Sequence, residues 1–80
     1  MTPHWRNVID TVEMLPVLVR EERLRRGLSH RAAAAEIGYA FADLCRFEKG
    51  TKVPTLTSVL SMLRWLARSA DLPVQGEPGA

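Results

Sequence analysis

Eight basic residues lie between Arg20 and Lys52: Arg20, Arg23, Arg25, Arg26, Arg31, Arg46, Lys49 and Lys52. Five acids share that span, Glu21, Glu22, Glu36, Asp43 and Glu48, which leaves the middle of the chain at +3 and its ends roughly neutral. A positive excess of this size suits a polyanionic partner, and it suits an ordinary solvated surface as well. The remaining reactive groups are sparse. His4 and His30 fall on separate segments, and Cys45 is the single cysteine. One thiol forms no internal bridge. Beside arginines it is either a redox-sensitive thiolate or a small packing residue. The sequence has no glycine-rich phosphate loop, no metal-ligand spacing and no nucleophile paired with a base, so we expect no enzyme, no cofactor, no metal and no small-molecule ligand.

Eighty residues make one domain. A chain of this size buries only about 60–65% of the surface its unfolded form exposes, so a dimer contact would help it. The longest apolar run, near Met14 to Val19, contains Pro16 and is too short to span a membrane. The start, MTPHWRNVID, lacks the pattern of a signal peptide. A cytoplasmic setting is therefore expected.

Punctuation divides the chain into helices. Hairpin turns of the Asn-Gly or Asp-Gly type are absent. Thr2 and Pro3 read as N-cap and first helical residue, and Trp5, Val8, Ile9 and Val12 then recur on one face. Pro16 ends that helix near Met14 and opens a second one to about Arg26, with Leu15, Leu18, Val19 and Glu22 or Arg23 inward and Gly27 past its end. Ser29 caps a third from about His30 to Glu36, with Ala33, Ala34 and Ile37 for close packing and Gly38 as its stop. The fourth runs from about Phe41 to Lys49, with Leu44 and Phe47 inward and Gly50 closing it. Thr55 caps the last, from about Leu56 to Ala67, with Leu56, Val59, Leu60, Leu63 and Leu66 as its stripe. Trp65 falls off that stripe and is expected to protrude. We therefore expect an all-α bundle of about five short helices. Residues 1–15 form an N-terminal amphipathic helix, 16–68 the main domain and 69–80 a flexible tail.

Two short helices joined through Gly38 are the pattern of a helix-turn-helix. The stretch VREERLRRGLSHRAAAAEIGYAFADLCRFEKGTKVPTLTSVLSMLRWL, roughly Val19 to Leu66, resembles the Cro/phage-repressor (XRE-like) family of DNA-binding proteins. The resemblance rests on Arg23-Leu24-x-Arg26-Gly27-Leu28-Ser29, the alanines of the third helix, Gly38, Phe47-Glu48-x-Gly50, and Pro54 ahead of an apolar helix, all in register.

The resemblance implies a lambda-repressor-like fold and double-stranded DNA as partner. It pairs Arg23 with Glu48 as a structural salt bridge. It places base contacts at Phe41, Ala42 and Arg46. An arginine can donate two hydrogen bonds to guanine, and an alanine can meet a thymine methyl. Phe41 is unusual there: it can touch a thymine methyl, pack into a partner protein, or fold back on Tyr39. Phosphate contacts are implied at His30 and Arg31, where helix N–H groups point outward, at Tyr39, and at Lys49, Thr51 and Lys52. Tyr39 reads equally as a half-buried ring.

Two positions depart from the family. Ala40 stands where Ser or Thr usually caps the fourth helix, a loss of typically about 1 kcal/mol. Asp43 puts a carboxylate where DNA phosphates would repel it, unless it accepts from a cytosine or pairs with Arg46, three residues on. Many relatives also have a fifth helix after the last one here. This chain has an extra helix in front instead, expected to pack in the vacated place or to join a dimer contact.

The leading expectation is a sequence-specific transcriptional regulator of bacterial or bacteriophage type that acts by occluding an operator, either as a monomer or as a homodimer. The alternative is a helix-turn-helix protein-interaction module, an adaptor or antitoxin. A continuous positive face through Arg31, Arg46, Lys49 and Lys52 favours DNA. An apolar patch centred on Phe41, with Asp43 bridged to Arg46, favours a protein partner.

Overall fold

The computed structural model describes residues 4–71, with side chains through Ser69. Five helices follow in order: α1 Trp5–Glu13, α2 Leu15–Arg25, α3 His30–Ile37, α4 Phe41–Glu48 and α5 Leu56–Asp71. No strand occurs among the described residues. The expected cap at Thr2 and Pro3, and the tail from residue 72 onward, lie outside the described residues.

Local chemistry accounts for most boundaries. Ser29 Oγ accepts from the Ala32 N–H at 3.1 Å and starts α3. Thr55 Oγ1 accepts from the Ser58 N–H at 3.2 Å and starts α5. Gly38 ends α3 with φ 84°, a conformation that strains any residue with a Cβ, and the chain turns within three residues to α4. α4 begins without a side-chain cap at Ala40. Pro16 sits at the first turn of α2, so α1 and α2 are separated by Met14 alone.

The core is Leu15 and Val19 from α2, Ala33, Ala34 and Ile37 from α3, Leu44 and Phe47 from α4, and Met62 and Trp65 from α5. α3 packs on α4 and α5, and α2 packs on α4 and α5, so four helices enclose one core. The small alanines of α3 let its backbone approach its neighbours closely, as their positions suggested.

One expectation fails. Trp65 does not protrude: it is 1% exposed and among the largest fully buried side chains. The inward face of α5 is centred on Met62, Trp65 and Ser69, with Val59, Leu63 and Leu66 of the expected stripe packed beside them, while Leu56 and Leu60 face solvent. The reason is polar as well as steric. The Trp65 indole Nε1 donates to Glu36 Oε1 at 3.0 Å, Arg26 bridges the same oxygen at 3.0 Å, and the Arg26 guanidinium lies 5.6 Å from the indole centroid. Arg26 also donates to Ser69 Oγ at 3.1 Å, so the helix continues past Ala67 and residues 69–71 of the expected tail belong to it. A buried tryptophan needs a partner for its N–H, and Glu36 supplies one.

The place of α1 stays open between its two expected roles, packing on the domain and a dimer contact. The helix packs on α2, yet none of its residues is buried, and Trp5, Val8, Ile9 and Val12 stay 42–67% exposed. Beside it, Thr11, Leu18, Leu63, Leu66 and Ala67 line a shallow groove between α1, α2 and α5.

Candidate functional site

The α4 helix is gripped from behind. Leu44 and Phe47 enter the core, and Glu48 is held by Arg23 through two hydrogen bonds, Nε to Oε2 at 2.9 Å and Nη2 to Oε1 at 3.0 Å. The third donor of Arg23, Nη1, reaches the Leu28 carbonyl at 3.1 Å. Both side chains are nearly excluded from solvent, at 9% and 5% exposure. One arginine thus ties the end of α2, the α2–α3 turn and the end of α4. His30 Nε2 joins the network at 3.2 Å from Glu48 Oε1. Gly50, at φ 80°, and Thr51 then close the helix: the Thr51 N–H and hydroxyl both donate to the Arg46 carbonyl, at 2.9 and 3.1 Å.

The opposite face of α4 is open. Phe41, Ala42 and Arg46 are all exposed there, as the sequence placed them. Arg46 Nη1 lies 3.4 Å from Asp43 Oδ1, and Lys52 Nζ lies 3.8 Å from the same oxygen. Asp43 therefore bridges the helix to the loop behind it. The Phe41 ring lies 4.3 Å below the Arg31 guanidinium and meets His30 edge-on at 6.5 Å. Its aromatic neighbour is thus His30 and not Tyr39, and it is not the centre of a bare apolar patch. Arg31, Lys49 and Lys52 stand around this face, all exposed.

Two expected phosphate donors are otherwise engaged, and a third is buried. His30 is turned to Glu48. The single proton of the Thr51 hydroxyl is spent on the Arg46 carbonyl. The Tyr39 hydroxyl is buried and has no hydrogen-bond partner among the described residues, and its ring is half-buried. Burial, and then the charge of Asp43, push its phenol above the usual 10.0. Cys45 is a half-buried free thiol, which suits a packing residue.

The sequence did not point to Glu36, Arg26 or Ser69, which together seat Trp65. The only signal for them was a lone carboxylate at the end of α3, and it gave no direction. The Glu22–Arg25 pair, 2.6 Å apart on α2, lies at helical spacing and was open to recognition. The Arg25 hydrogen bond holds the Glu22 carboxyl below its usual range.

Among the described residues no group of three or more potential ligands could hold a metal ion, and no helix is long and apolar enough to cross a membrane. Comparison with family models, with curated proteins and with solved structures returned no match to this chain.

Proposed function

We propose that this protein is a sequence-specific double-stranded DNA-binding regulator of bacterial or bacteriophage type, Cro- or repressor-like, acting by operator occlusion. The observation that carries the reading is the asymmetry of α4. Its back is fixed by Leu44, Phe47 and the Arg23–Glu48 pair, and its front presents Phe41, Ala42 and Arg46 between the exposed cations Arg31, Lys49 and Lys52. A rigid short helix with an arginine on its open face is the geometry a major groove accepts. In this reading Arg46 reads a guanine, Ala42 and Phe41 lie against thymine methyls, and Arg31, Lys49 and Lys52 neutralise phosphates.

Anisotropy of a labelled random-sequence duplex across a salt series tests it. Binding that weakens linearly in log salt is expected, from phosphate neutralisation. Arg46→Ala should leave most of that slope in place and remove about 1–3 kcal/mol of base discrimination on a site selected from a random library. An absence of binding at low salt sinks the reading.

A second copy of the chain fits the same reading. A helix of nine residues is not stable alone in water, and the stripe of α1 lacks a cover in the monomer. A dimer that binds DNA in this way must set its two α4 helices on half-sites about 34–36 Å apart. Sedimentation should then give twice the 9.0 kDa of one chain, and Ile9→Glu should return it to one.

The Asp43–Arg46 pair favours a second reading, a protein-interaction module, because it offsets the cation that DNA needs. A partner with a cationic patch facing Asp43 would serve it.

A further inference from the structure

Asp43 is the one acid on the open face of α4, and it is misplaced for a surface that meets phosphates. Its Oδ1 stands 3.4 Å from Arg46 Nη1 and 3.8 Å from Lys52 Nζ, so one carboxylate occupies two of the cations on which the DNA-binding reading depends. The Arg46 side chain is 62% exposed and its contact with Asp43 is long, so the pair opens easily. Opening it has a consequence. Once Arg46 and Lys52 turn to DNA, Asp43 faces the phosphates with no counter-charge. An unpaired carboxylate there opposes binding wherever the freed arginine finds no base to compensate.

The second observation is the Tyr39 hydroxyl. It is closed off from solvent, and it is a donor without an acceptor, an uncommon state for a buried hydroxyl. Tyr39 occupies the turn immediately before α4, and Asp43 lies on the first turn of that helix. Tyr39 directly precedes the N-cap Ala40 and Asp43 is the third residue of α4, so one helical turn separates them, and the Asp43 charge acts on the Tyr39 phenol. An idle donor thus lies within a turn of the carboxylate that DNA would strand.

We propose that Asp43 is a specificity-determining residue of the α4 face. Its carboxylate holds Arg46 and Lys52 back from indiscriminate phosphate binding, and the Tyr39 hydroxyl takes the carboxylate over when those cations engage DNA. The inference rests on the DNA-binding reading. In the free protein Asp43 accepts from Arg46 and is ion-paired with Lys52, and Tyr39 has no acceptor among the described residues. In the complex Asp43 accepts from Tyr39, and both cations are released. Sequence-independent binding stays weak, because on a random duplex the exchange is made without a base contact for Arg46 to offset it.

The test is anisotropy of a random-sequence 20-base-pair duplex over a salt series. It compares wild type, Asp43→Asn, Tyr39→Phe and the double variant, each first shown by circular dichroism to keep its helix content and melting curve. Asp43→Asn should bind random duplex about three- to tenfold more tightly at low salt, with a slope steeper by about 1, one further phosphate neutralised. Tyr39→Phe should weaken binding about three- to tenfold when Asp43 is present and change nothing when it is Asn. Wild type that binds, with Asp43→Asn unchanged in affinity and slope, overturns the inference and leaves the DNA reading standing. An equal Tyr39→Phe effect in both backgrounds overturns the hand-over. Failure of every protein to bind overturns the reading and the inference together. Binding by Asp43→Asn alone overturns both, because the natural chain then never releases its cations to DNA.

Discussion

Two ion networks sit on one eight-residue helix, and they are built in opposite ways. On the inner side of α4, Arg23 grips Glu48 with two bonds of 2.9 and 3.0 Å, and both side chains are almost wholly buried. On the outer side, Asp43 reaches Arg46 at 3.4 Å and Lys52 at 3.8 Å, all three at least partly in water. Burial sets the difference. A desolvated pair cannot lose one member without stranding the other, whereas a wetted pair exchanges its partner for water at little cost. The inner network fixes where α4 is. The outer one leaves open what α4 holds.

That contrast can be broken at its stronger end first. Arg23→Ala strands Glu48 and should cost about 3–5 kcal/mol of unfolding free energy by urea titration. Replacing both with Met should cost less than the single change, because no charge is left unpaired. Next, Arg46→Ala should lie within about 0.5 kcal/mol of wild type in the same titration, while its effect appears on DNA. A destabilisation comparable to that of Arg23→Ala would erase the distinction between the two sides.

Two smaller effects follow from proton linkage. The Tyr39 phenol is raised in the folded state, so its contribution is full below the unfolded value and is lost as pH rises beyond it. Stability should therefore fall above about pH 10, and Tyr39→Phe should flatten that limb. Glu22 is shifted the other way: its carboxyl is lowered by the exposed Arg25, so its contribution holds above the unfolded value and is lost as pH falls through the folded one. Glu22→Gln should slightly flatten the acid limb of the denaturation profile, the smallest change of the series.

The sequence was most readable where short-range chemistry decides. Ser29, Thr55, Gly38 and Gly50 act on the few residues beside them, and the helices begin and end within a residue or so of those signals, α5 excepted at its far end. Arg23 and Glu48 were legible only through the family resemblance, since 25 residues separate them and neither alone indicates a partner. Trp65 was misjudged because leucines at regular spacing outnumber it along α5. The choice of inward face was made by Glu36 and Arg26, which lie on other helices and leave no periodic trace. α1 was legible only in part, because an amphipathic stripe states what must be covered and not what covers it. At the candidate site, the residue types of the open face were predictable, while the burial of the Tyr39 hydroxyl and the turning of His30 to Glu48 depend on three-dimensional crowding.

The two tryptophans deserve to be considered as a pair. Trp65 is sealed at 1% exposure inside the bundle, and Trp5 stands at 67% exposure on α1. Their emission should therefore divide into a blue component shielded from iodide and a red component quenched by it. Quenching of the red component reports the covering of α1, and a red shift of the blue one reports loss of the core. A single unlabelled sample thus distinguishes association from unfolding by its own light.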